Sequence, residues 1–228
     1  MFFYWDSTYI LVLIGAVISA IAALRVNSTY KKFSTVANSR RMTGRDAAET
    51  ILRNAGITDV RIERIKGSLT DHYSPKEKVL RLSDSVYDST SVAALGVAAH
   101  ECGHAIQHRQ NYSPLGLRSA AVPVANIGST LSWPIVLLGL VLGMPGLAQI
   151  GVILFCFVVF FQLITLPVEF NASSRALRIL QDRGILMGEE LNGASKVLRA
   201  AAMTYVAAAF SSILQLLRLV MLTRRRSD

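Results

Sequence analysis

Residues 119–168 read SAAVPVANIGSTLSWPIVLLGLVLGMPGLAQIGVILFCFVVFFQLITLPV, without one Asp, Glu, Lys, Arg or His. A water-soluble domain cannot easily hide so long an uncharged run. The break Gly143-Met144-Pro145-Gly146 divides it into two lengths, each able to cross a hydrocarbon layer of about 30 Å as a helix. A transmembrane helical hairpin over 119–168 is therefore predicted. Composition points the same way. Hydrophobic residues make up 52% of the 228 and charged residues only 17%, with a mean hydropathy of +0.40.

Working outward from the hairpin, residues 7–24 are uncharged and almost wholly apolar, which suits a first span. No Lys or Arg precedes them, so an uncleaved anchor is predicted in preference to a cleaved signal peptide. Arg25, Lys31 and Lys32 follow the anchor, Arg109 and Arg118 precede the hairpin, and Arg175, Arg178 and Arg183 follow it. The positive-inside rule puts all of these in the cytoplasm and the N-terminus outside. Residues 25–118 are then a cytoplasmic part, and 169–199 a second cytoplasmic segment, expected as one helix. The last apolar run, 200–222, is predicted to be membrane-associated. Whether it spans stays open, because Arg218 interrupts its end and Arg224-Arg225-Arg226 follow. The formal net charge of +9 fits loops facing anionic lipid. No RNA-binding signature or basic stretch interleaved with aromatics is present, so nucleic acid is not expected as a partner. Two cysteines, Cys102 and Cys156, make no disulfide framework and suit chemistry facing a reducing compartment.

Within 25–118 the local signals alternate. Thr43 is placed to cap a short helix over 46–54 that Gly56 closes. Val60, Ile62 and Ile65 alternate with Arg61, Glu63 and Arg64, as in a strand. Residues 69–73 and 78–82, separated by Ser74-Pro75-Lys76-Glu77, read as a hairpin. Ser89, Thr90 or Ser91 then caps a helix reaching about His108.

That helix carries Ala99-His100-Glu101-Cys102-Gly103-His104-Ala105, the pattern H-E-x-x-H. Residues four apart share a helix face, so His100 and His104 can offer neutral imidazoles to one zinc ion. Glu101, adjacent to His100, sits beside such an ion without having to ligate it. From there its carboxylate can take a proton from water and pass it to a leaving amine. A catalytic zinc needs a third protein ligand. Glu169 is the best candidate, since it directly follows a span that returns the chain to the side of His100. Its plain alternative is an interfacial carboxylate paired with Arg175 or Arg178. His108 lies about 12 Å along the helix from His100 and cannot share its ion, so it reads as a polar helix-end residue. His72 and Tyr205 are candidates for contact with substrate or a developing oxyanion, each with an ordinary surface or packing role as its alternative.

Four stretches carry a family resemblance: 69–73 (LTDHY), 98–107 (AAHECGHAIQ), 166–173 (LPVEFNAS) and 204–208 (TYVAA). The chain resembles the bacterial YugP-like family of membrane-bound neutral zinc metallopeptidases, which is similar to HtpX-type membrane peptidases. The resemblance implies a small α+β zincin-like part, with a short β-hairpin beside the HExxH helix, set in an α-helical membrane protein. It implies a gluzincin-type zinc site of His100, His104 and Glu169, with Glu101 as general base. It also implies that the strand around 69–73, His72 and Tyr73 included, pairs with an extended peptide. One departure stands out. HtpX-type enzymes place an Asp four residues after the ligand Glu, where this chain has Ser173, with Asn171 nearby.

The resulting expectation is a membrane-bound zinc endopeptidase of the bacterial inner membrane. It would cut peptide or membrane-protein substrates at the cytoplasmic face, with a membrane-protein partner or a second copy as possible company. An intramembrane site-two protease would hold H-E-x-x-H inside a span, whereas here capped, charged sequence flanks it. A zinc transporter would put ligands in mid-span, and the uncharged hairpin has none. A zinc-binding scaffold or adaptor without turnover is the remaining alternative.

Overall fold

A computed structural model describes residues 7–224. The protein is an α-helical membrane protein with a small α+β part, and its chain divides into two compact units. Of the described residues, the first gathers 7–23, 117–166 and 204–224; the second gathers 24–116 and 167–203.

The first unit holds the apolar lengths of four helices long and apolar enough to cross a membrane: α1 (Tyr9–Ser34), α5 (Ser113–Val141), α6 (Pro145–Asp182) and α7 (Gly188–Arg224). Large apolar side chains point outward along them, Leu13, Leu137, Ile153 and Phe157 among them. Lipid, not water, is the solvent that accepts such a surface. Inside, Val136 on α5, Phe155 and Val159 on α6 and Leu219 on α7 form a core. Association within lipid depends on close packing by small residues. Gly151 shows it: a Cβ there would lie 2.5 Å from Val136 Cγ2 and 2.8 Å from the Ser132 carbonyl oxygen. Ser211 on α7 donates to the Gly15 carbonyl at 2.9 Å and meets Ser19 Oγ at 2.9 Å. The guanidinium of Arg218 is 4.1 Å from the Tyr9 ring and 5.2 Å from that of Trp133. It is 5% exposed, a buried cation faced by aromatic π-surfaces.

The second unit is built round a three-stranded sheet of order β1-β3-β2, from β1 (Arg61–Ile65), β2 (His72–Ser74) and β3 (Val79–Ser83). β2 pairs antiparallel with β3, as a hairpin must, while β1 runs parallel to β3. The central β3 is buried on both faces, with Val79, Leu80, Leu82 and Ser83 all enclosed. β2 is shorter than the predicted 69–73. Leu69 takes φ 57° and Gly67 φ 113°, so the chain is still turning there, and extended backbone begins only at His72.

Around the sheet pack α2 (Gly44–Asn54), the single turn α3 (Asp84–Tyr87) and α4 (Val92–Arg109). Thr43 and Asp46 form a reciprocal capping box at the start of α2, and the Ser91 hydroxyl accepts from the Ala94 N–H at the start of α4. Each satisfies a backbone donor that helix geometry leaves free. The core runs through Ile51 and Leu52 of α2, Leu80 and Leu82 of β3, and Leu95 and Ala98 of α4. The ends of α6 and α7 complete it with Leu180, Leu186 and Leu198. The segment 169–199, expected as one cytoplasmic helix, is instead the tail of α6 and the head of α7. They are joined by a turn with Gly184 and Gly188 at positive φ.

Candidate metal centre

Fourteen of the eighteen residues of α4 are buried, and most are small, which lets other elements come close on several sides. Gly103 marks the closest approach. A Cβ there would stand 2.7 Å from the Ala172 carbonyl oxygen of α6, so the absence of a side chain sets how near α6 lies to the H-E-x-x-H turn. Cys102, the other variable position, faces away, its thiol 3.7 Å from the Ala48 carbonyl in α2. Burial pushes that thiol far up, so it packs and does not react.

Across this crossing the structure brings His100, His104 and Glu169 together, one donor atom from each lying within 4.8 Å of the others. The imidazoles meet edge to face, centroids 4.8 Å apart. Glu169 Oε2 is 3.2 Å from His100 Nε2 and 3.5 Å from His104 Nε2. Ligands about 2.0–2.1 Å from a tetrahedral zinc stand roughly 3.3 Å apart, so the two separations from Glu169 fit the ion. Burial pushes the Glu169 carboxyl up, but hydrogen bonds from the two imidazoles outweigh it and hold the group well below the usual carboxylate range. His104 shows the reverse: burial lowers it, and the Glu169 hydrogen bond with the charges of Glu101 and Glu169 carries it above an ordinary histidine. The cavity is thus arranged to hold positive charge.

The other ring nitrogens are also engaged. Gln107 Nε2 donates to the Val168 carbonyl at 2.8 Å and to Asn171 Oδ1 at 3.0 Å. This turns Gln107 Oε1 to His104 Nδ1, at 3.0 Å. An amide oxygen only accepts, so Nδ1 of His104 carries a proton and donates to Gln107, which leaves Nε2 as the nitrogen turned to Glu169 and the one able to ligate a metal. His100 Nδ1 lies 3.1 Å from the Ser173 hydroxyl, which occupies the position of the missing Asp. Arg175 donates from Nε to Asn171 Oδ1 at 2.6 Å and from NH1 to Gln110 Oε1 at 2.6 Å. The role of Gln107 was not read from the sequence. Its only signal is the three-residue step from His104, which makes the two neighbours on a helix.

Glu101 is 8% exposed, and among the described residues its carboxylate has no hydrogen-bond partner. Its charge is felt by Asp71, whose carboxyl burial pushes up, while hydrogen bonds from the Ser83 N–H and hydroxyl pull it back. Those bonds measure 2.7 and 2.9 Å.

The remaining candidates are not among the three donors of the cluster. Tyr73 packs on the core side of the sheet, and its hydroxyl meets His108 Nδ1 at 2.8 Å. Alternation sends His72 to the opposite face, where Nδ1 lies 2.9 Å from the Thr70 carbonyl oxygen and Nε2 lies 3.5 Å from Arg81 NH1. Tyr205 lies on α7, in the part of that helix that belongs to the first unit.

No solved structure matches the chain. It is 49% identical over 201 residues, 88% of this chain and 89% of the other, to a protein of Bacillus subtilis (strain 168) described as "Putative membrane protease YugP". A family model described as "Putative neutral zinc metallopeptidase" matches residues 8–224. Matched in this way over nearly its whole length, and with a paired-histidine and carboxylate cluster spaced for zinc, the chain belongs to that family of neutral zinc metallopeptidases.

Proposed function

We propose that the protein is a zinc metalloendopeptidase of the bacterial cell membrane that cleaves peptide or membrane-protein substrates at the cytoplasmic face. The observation that carries this reading is the cluster of His100, His104 and Glu169, with donor atoms within 4.8 Å of one another, and beside it on α4 the Glu101 carboxylate, which has no hydrogen-bond partner among the described residues. His100, His104 and Glu169 would hold zinc, which supplies Lewis acidity toward a peptide carbonyl and makes water more acidic.

The residues of the chain then divide the work. His104, with its tautomer set by Gln107, presents a lone pair with little reorganisation. Glu101 takes a proton from water at its carboxylate and passes it to the departing amine. β2 is one of the two outer strands of the sheet, and its second edge, unpaired among the described residues, offers backbone donors and acceptors to an extended peptide. The cytoplasmic orientation rests on Arg25, Lys31 and Lys32 after the first span and on Arg175, Arg178 and Arg183 after the hairpin.

The test uses the full-length protein in detergent. Glu101→Gln keeps about one zinc per chain and loses cleavage of a casein or membrane-protein substrate by 100-fold or more, within the range for a removed general base. His100→Ala loses metal and activity together. Wild-type cleavage by Glu101→Gln overturns the assignment. Zinc binding without turnover in the wild type, across a broad panel of substrates, favours the scaffold instead.

A further inference from the structure

Away from the metal cluster, the second unit has a groove of about 500 Å³ between the end of α1 and the start of α7. Four cations line it, Arg25 and Lys32 from α1 and Lys196 and Arg199 from α7, and no Asp or Glu does. Among the described residues none of the four is in an ion pair. Like charges gathered without acids repel one another, so the arrangement is at its most stable when an anion joins it.

The groove is also shaped for one. The Phe33 ring lies between the helices, with Lys32 Nζ 5.7 Å and Lys196 Nζ 6.0 Å from its centre. Cation–π attraction on this scale gathers both ammoniums at one aromatic ring. Gly193 makes room for it: a Cβ there would come within 2.8 Å of Phe33 Cδ1. The level along the helices names the source of the anion. On α1 the cations begin where the apolar run 9–24 ends; on α7 they stop where the apolar run 200–217 begins. Met203 continues the lining on the apolar side. A ligand with phosphate at that level and hydrocarbon beside it is a membrane lipid.

We propose that this groove binds the phosphate of an anionic phospholipid headgroup from the surrounding bilayer. A diffuse belt of basic loop charge is attracted to any negative surface. A groove with cations on two helices around one ring holds a single lipid with defined partners. The proposal does not depend on the peptidase reading.

The test is native mass spectrometry and thermal unfolding of the full-length protein in mixed micelles. Phosphatidylglycerol or cardiolipin at low mole fraction should give a retained lipid adduct and a rise in Tm. Phosphatidylcholine, and inorganic phosphate at matched concentration, should give neither. K196Q/R199Q should weaken retention roughly 30-fold, from about a fivefold loss per cation near a membrane surface. It should keep the wild-type zinc content and the wild-type Tm in zwitterionic micelles. R25Q/K32Q tests the same groove from the other helix, and K76Q/R53Q serves as a charge-matched control. Glu101→Gln should bind lipid as wild type does. Equal stabilisation by phosphatidylcholine or free phosphate overturns the proposal, as does an adduct that survives in both groove variants or weakens equally in the control.

Discussion

At the scale of single residues, side chains that hold other side chains decide how well the site is formed. Gln107 is the clearest case, because its amide ties His104 to the backbone of α6 at Val168. Gln107→Ala should lower zinc affinity 10- to 100-fold, the usual loss when the partner of a ligand histidine is removed. It should leave α-helical content unchanged by circular dichroism; competition with a chelating dye reads the affinity, and an unchanged value would free His104 from this partner. Asp71 tests electrostatics instead. Its folded pKa is raised above the ordinary 3.8, so its contribution to stability is full below that value and is lost as pH rises through the folded pKa. Asp71→Asn removes the ionisation and keeps an acceptor for Ser83, so it should equal wild type near pH 4 and be at least as stable near pH 8. Asp71→Ala leaves buried Ser83 without its acceptor and should cost about 1–3 kcal/mol at both pH values. Chemical denaturation in detergent reads both, and an Asp71→Asn protein that falls behind wild type as pH rises would reverse the sign. The H-E-x-x-H pair was legible because helical periodicity alone puts two histidines on one face. Gln107 was not, because its role appears only once α6 supplies the Val168 carbonyl, sixty-one residues along the chain.

At the scale of elements, the site depends on how closely α4 and α6 cross. Gly103→Ala puts a methyl group against the Ala172 carbonyl, and overpacking of this kind costs about 1–3 kcal/mol. The relief available is for α6 to move outward, carrying Glu169 away from the imidazoles. Zinc affinity should therefore fall along with stability. Gly116→Ala, where no atom lies within 4 Å of the added carbon, should change neither measurement. If Gly103→Ala binds zinc as wild type does, the crossing distance is not what completes the ligand set. Elements with a local signature could be read in advance: the Thr43 cap of α2, a cap for α4 among Ser89, Thr90 and Ser91, of which Ser91 is the one used, and the turn that joins β2 to β3. The parallel pairing of β1 with β3 could not, because nothing local distinguishes a strand that pairs with its neighbour from one that pairs across an intervening turn. Nor could the late start of β2, which depends on positive φ at Leu69, a residue that usually avoids it.

At the scale of the whole molecule, apolar and polar lengths alternate along the chain, and α1, α6 and α7 each contribute to both units. Segments drawn by charge therefore end inside helices: charge changes where the solvent changes, and a helix continues through that level. The open question from composition was α7, whose basic end argues against a full crossing. Within the first unit its contacts with α1 run in order, Ser211 against Ser19 and Gly15, then Arg218 against Tyr9. The two helices are thus antiparallel over the same depth, and α7 ends at the level where α1 begins. Among the described residues Arg218 has no acidic partner, and stacking on Tyr9 and Trp133 gives it a place at that depth. We therefore expect α7 to span, with Arg224 on the outer side at the level where α1 begins, against the charge rule. In a Cys156→Ser background, where Cys102 is buried, single cysteines at Ser68, Met144 and Thr223 report the topology through a membrane-impermeant maleimide. Met144→Cys and Thr223→Cys should label in intact spheroplasts, and Ser68→Cys only after the membrane is opened. If Thr223→Cys instead follows Ser68→Cys, α7 re-enters without crossing and the charge rule holds at this end. If Ser68→Cys labels from outside, the metal cluster faces the exterior and the cytoplasmic assignment is wrong.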